Sequence, residues 1–190
     1  MKKPISSIII SFLLFVNVSA QNSVPENSIE WTSDLSLAWS DFQAKPNTDV
    51  IAFAETSYAI EIIPPEVMVD ENNRVLNDQQ LSVKAYFLKD RSWVFKEKDE
   101  LLKHERLHFD IAELFARKMR KAFRELQKEG NADFYAYQKV YNKYWQECER
   151  MQRKYDRETR HGRNYDINDE WEVKIDQLLQ DYKNFIINNK

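Results

Sequence analysis

Two of the chain's three histidines, His104 and His108, stand four residues apart, with Glu105 directly after the first. On a helix, at about 100° per residue, the two rings lie only about 40° apart and can reach one ion from the same side. Glu105 falls on the flank of this pair, displaced too far to be a third ligand but well placed beside a water held by the ion. That is the physical sense of the spacing His-Glu-x-x-His: two neutral imidazoles hold zinc, and the carboxylate takes a proton from the water. The stripe Leu101, His104, His108, Ile111, Phe115 puts both histidines at core-facing positions. Unpartnered imidazole nitrogens are costly to bury there, and a shared metal removes the cost.

A catalytic zinc takes three protein ligands and leaves a position for water. Glu113 lies nine residues after His104, about 180° around the same helix, and is better placed to pair with Arg117 one turn later. His161 is the stronger candidate. A second helix carries the stripe Tyr137, Tyr141, Tyr144, Cys148, Met151, Tyr155, and a short connection at Gly130-Asn131 makes it antiparallel to the first. His104 stands 27 residues before Asn131, and the same distance beyond reaches Glu158, three residues short of His161. Gly162 then lets the backbone leave the helix and aim the ring. Asp156 and Asp166 are alternatives, as ligands or as acceptors for an imidazole N–H. Tyr155, a core position, and Tyr165, a surface one, are the phenols nearest in sequence.

These side chains need elements to hold them. Residues 29–95 read as strands and turns. Residues 49–63 carry β-branched and aromatic residues and stop at Pro64-Pro65, and residues 81–95 form a second extended stretch broken at Lys89-Asp90. Edge pairing of a peptide along residues 81–95 is a further expectation. From residue 97 the texture is helical: 99–128, ended by Gly130; 133–157; and 168–187, capped by Asn168. In the third helix Trp171, Ile175, Leu178, Tyr182 and Phe185 form the buried face. The fold class is α+β, a small N-terminal sheet followed by three helices. The aromatic cluster from Phe134 to Trp145 reads as core, and Cys148 within it as a buried, inert thiol.

Residues 1–20 have the form of a secretory signal peptide: Lys2 and Lys3, an apolar run from Ile8 to Val16, then Val18-Ser19-Ala20. The run is short for a membrane span, no second one follows it, and no cysteine follows it to carry a lipid anchor. Residues 21–190 are expected to form one exported domain, secreted or periplasmic. The net charge of −3 becomes about −5 without the leader lysines, which argues against nucleic acid or anionic lipid as partners. One cysteine cannot form an intramolecular disulfide.

The chain resembles a bacterial family of predicted secreted zinc-dependent proteases, catalogued as the domain-of-unknown-function 922 family. The matching blocks are Leu37-Ala38-Trp39-Ser40-Asp41-Phe42, Ser92-Trp93-Val94, the run from Leu102 to Glu113 with Ala116-Arg117, and the run from Tyr155 to Gly162. The resemblance implies zincin-type roles for His104, His108 and Glu105, and it makes the block ending in His161-Gly162 a family feature. The expected protein is a zincin-like metallopeptidase with Zn2+ on His104, His108 and His161, Glu105 as general base, and a peptide or protein substrate, a cell-envelope one included. A non-catalytic, zinc-stabilised envelope protein is the alternative reading.

Overall fold

The computed structural model describes residues 25–50 and 52–187; the leader expected at residues 1–20 lies outside the described residues. The fold is α+β: a small antiparallel sheet precedes three helices. Strand β1 (Ser28–Glu30), β3 (Tyr58–Ile63) and β4 (Ser82–Leu88) form a sheet in the order β1-β4-β3. The pair β2 (Ala54–Glu55) and β5 (Trp93–Val94) forms a second, two-stranded sheet. Within residues 81–95 the break falls at Lys89-Asp90 as expected, and β3 ends just before Pro64. β4, however, is the central strand, hydrogen-bonded to β1 on one side and β3 on the other. Its residues Tyr86 and Phe87 are paired on both sides, so that part of the stretch has no open edge for an added peptide strand.

Helix α1 (Asp99–Lys128) has Asp99 and Glu100 in its first turn, where carboxylates suit the helix dipole. Gly130, at φ 66°, takes the left-handed conformation just beyond its end. Helix α2 (Phe134–Thr159) is capped by Asp133, whose side chain accepts from the Tyr135 amide. Helix α3 (Tyr165–Asp181) starts earlier than its sequence suggests: Asn164 is the cap, accepting from the Ile167 amide, and Asn168 lies inside the first turn. Of the expected α3 face, Trp171 and Ile175 are buried and Leu178, Tyr182 and Phe185 are half-buried.

Sixteen of the thirty α1 residues are buried, so α1 is a central helix rather than a surface helix with one apolar stripe. Val83, Ala85 and Phe87 of β4 pack on it, with the Phe87 ring 5.9 Å from that of Phe109. α2 and α3 cover its other sides, and one hydrophobic cluster spans the sheet and all three helices. Cys148 is fully buried in that cluster, and burial pushes its thiol up to about 12. No described helix is long and apolar enough to cross a membrane.

Candidate metal centre

α1 presents His104 and His108 toward α2, where the folded-back chain brings up Asp156. The three ligand atoms form a nearly equilateral triangle. His104 Nε2 is 3.2 Å from His108 Nε2 and 3.2 Å from Asp156 Oδ1, and His108 Nε2 is 3.1 Å from the same oxygen. Ligands about 2.0–2.1 Å from a tetrahedral zinc stand about 3.3–3.4 Å apart, so the triangle is the right size for one such ion. Among the described residues this is the group whose atoms all lie close enough to share a metal.

Hydrogen bonds behind the rings fix their orientation. Gln152 Nε2 donates to the His108 carbonyl at 2.9 Å, which leaves Gln152 Oε1 to accept from His108 Nδ1 at 2.6 Å. Asn168 Oδ1 accepts from the Tyr155 hydroxyl at 2.5 Å and from His104 Nδ1 at 3.2 Å. With each Nδ1 carrying its hydrogen, both neutral rings turn a lone pair toward the Asp156 carboxylate. Three acceptors at such distances need a cation between them. Without a metal, protons must serve. Burial opposes charge on His108, but Asp156 and Glu105 together outweigh it and raise the ring to about 9. Burial would likewise raise Asp156, yet hydrogen bonds from His104 and His108 hold it well below the ordinary carboxylate range.

Glu105 is 2% exposed and lines the same cleft, a hollow of about 370 Å³. Its Oε2 has no hydrogen-bond partner among the described residues. A buried carboxylate oxygen without a donor is costly, and a carboxylate at the lining of a cleft is suited to a water or an amine. Glu105 is held from above by β2 and its continuation: Thr56 Oγ1 donates to the Glu105 carbonyl at 3.0 Å. Ser92 and Trp93 clamp that segment on both sides of Thr56. The Ser57 amide donates to Ser92 Oγ, and Trp93 Nε1 donates to Glu55 Oε2, each at 2.9 Å. Arg106 donates to the carbonyl of Leu37, tying the first block to α1.

His161 lies at the rim. Its Nδ1 is 3.5 Å from Asp156 Oδ1, its side chain is 54% exposed, and Asp156 occupies the position in the triangle expected for it. The backbone is unusual there: Arg160, His161 and Gly162 all have positive φ, at 52°, 54° and 72°. Thr159 holds this turn, accepting from the Arg163 and Asn164 amides through its carbonyl. A Cβ on Gly162 would sit 2.9 Å from Cγ of His104, so only glycine fits against that ring. Gly162→Ala is therefore expected to push His104 out of register and to weaken metal binding at least tenfold, read by metal titration. Unchanged affinity would mean that the turn does not position the ring.

Glu113 points away from the cluster and pairs with Arg117 at 2.8 Å, as its angular position requires, and also with Arg120. Tyr155 is fully buried, stacked on His104 with centroids 4.5 Å apart, while Tyr165 is on the surface. Asp166, in the first turn of α3, lies outside the cluster. Gln152 and Asn168 escape a reading based on ligand types. Their signal is a polar residue at a stripe position, between Cys148 and Tyr155 in one case and one turn before Trp171 in the other.

Over residues 22–162 the sequence matches the model of a family described as bacterial protein of unknown function, DUF922. The chain belongs to the DUF922 family. No curated protein and no solved structure matches it. The DUF922 match runs from before β1 through Gly162, so it takes in every residue of the triangle, Glu105 and the left-handed turn.

Proposed function

We propose that this protein is a zinc-dependent metallohydrolase of zincin type, acting on peptide bonds outside the cytoplasm. The observation that carries the reading is the triangle of His104, His108 and Asp156 beside a buried carboxylate with a free oxygen. Bound there, zinc would polarise a carbonyl and acidify a water. Glu105 would take the proton from that water as its oxygen joins the carbonyl carbon, then deliver it to the amine as the C–N bond breaks. His161, 3.5 Å from Asp156, would stand over the same carbonyl as a donor or as a further ligand. β2, paired with β5 on one side only, lines the cleft and offers an extended chain a place to lie. The leader-like residues 1–20 support export.

Elemental analysis of the purified protein tests the reading, beside His104→Ala, Asp156→Ala and His161→Ala. The expectation is about one zinc per chain, lost in the first two variants and retained, with weaker affinity, in the third. A protein that takes up no zinc on reconstitution would end the proposal.

A further inference from the structure

The cleft has unlike ends. Along residues 53–58, Thr56 sits over Glu105, Tyr58 donates to Glu149 at 2.7 Å, and Phe53 lies against Arg163, whose guanidinium is 5.6 Å from the ring centroid. α2 and the turn after it follow the opposite order in sequence but the same order in space: Glu149 and Arg153 precede Asp156, and His161 and Arg163 come after it. Two walls thus run side by side past the triangle. A chain lying between them meets the ion pair Glu149–Arg153 on one side of the site and Phe53 on the other.

The Phe53 end continues outward. Phe95 is 65% exposed, Val50 43% and Phe53 40%, and they are three of the eight large apolar side chains left exposed among the described residues. They gather around a second hollow of about 330 Å³ that shares Val50, Ala52 and Phe53 with the cleft. Exposed apolar groups scattered singly need no account; a cluster opening into a catalytic cleft does. Phe95 is fixed there by backbone, its amide donating to the Phe53 carbonyl at 2.7 Å.

We infer that this shelf selects substrate: it takes a bulky apolar side chain of an extended peptide, on the Phe53 side of the bond that is cut. The inference rests on the metallopeptidase reading for its occupant. Burial of one aromatic side chain on a half-open surface sets the scale at about tenfold in affinity.

The test is equilibrium binding of two fluorescent hexapeptides, one of alanine alone and one with a single phenylalanine, to zinc-reconstituted Glu105→Gln protein, in which the peptide stays intact. The phenylalanine peptide is expected to bind about tenfold tighter. Phe95→Ala added to the same protein should remove that advantage and leave the alanine peptide unchanged, and Phe95→Leu should restore most of it. Equal affinity for the two peptides, or an equal loss for both in Phe95→Ala, would overturn the inference. The two readings fail separately. A wild-type protein that cuts neither peptide while the binding difference persists sinks the peptidase proposal and keeps the shelf. Cleavage with no positional preference sinks the shelf alone.

Discussion

Replacing Glu105 with glutamine is expected to lower kcat for peptide hydrolysis by two to four orders of magnitude while leaving the zinc in place. The magnitude is that of a lost general base. Glutamine keeps the shape of the side chain and cannot accept a proton, so the variant isolates the proton transfer from the packing. Glu105 is not one of the three triangle residues, and its neighbour Thr56 touches only its backbone carbonyl. Zinc content and fold should therefore survive, and the melting temperature should stay close to that of the wild type, since glutamine fills the same buried volume. The measurement is steady-state turnover beside metal stoichiometry. Turnover within tenfold of the wild type would assign the base elsewhere, with His161 the first residue to try.

The largest expected loss of stability is far from the cleft, at Glu113. Its Oε1 accepts from Arg117 Nε at 2.8 Å and from Arg120 at 2.5 Å, and all three side chains are almost wholly buried. Each arginine also holds a different neighbour. Arg117 donates to the Leu179 carbonyl at the end of α3, and Arg120 donates to the Val83 carbonyl in β4. Glu113 therefore neutralises the two cations that tie α1 to the last helix and to the central strand. Glu113→Ala would leave both guanidiniums buried without a carboxylate, at a cost of about 3–5 kcal/mol. In a denaturant titration this is read as a lowered midpoint with an unchanged slope. A loss below about 1 kcal/mol would show that water reaches the arginines and that the knot is dispensable.

The site was legible in the sequence to differing depths. The grouping of His104, His108 and Glu105 follows from their spacing together with the apolar stripe that holds both histidines, because a helix turns their order into geometry. The same angle disfavours Glu113 as a ligand, and it does face the other way. Folding α2 back from Asn131 located the third side within a few residues: the count reaches Glu158, and the structure uses Asp156 in the triangle with His161 at its rim. Residue type could not choose between them. The choice depends on the left-handed turn at residues 160–162, which carries His161 outward, and three positive φ values in a row leave no sequence mark beyond Gly162. The start of α3 was misread for a related reason. Asn164 and Asn168 are both good caps, and only burial separates the cap from the residue that meets His104. The strand ends at Pro64 and Lys89-Asp90 are legible because those residues interrupt the pattern, whereas the split of residues 49–63 into β2 and β3 in different sheets, and the sheet order with β4 inside, come from long-range pairing that local patterns do not carry.

The uninterrupted course of α1 bears on timescale. From His104 to Arg120 the helix rises roughly 24 Å, packed against the sheet and both other helices, with the knot at Glu113 in its middle. A segment of that kind opens only when the whole molecule opens. The two imidazoles and Glu105 are thus held in place before anything binds, and on the metallopeptidase reading no slow closure of α1 would precede the chemistry. On that same reading, a motion that limits turnover would belong to the thinner walls of the cleft: the two-residue strand β2, and the turn that carries His161.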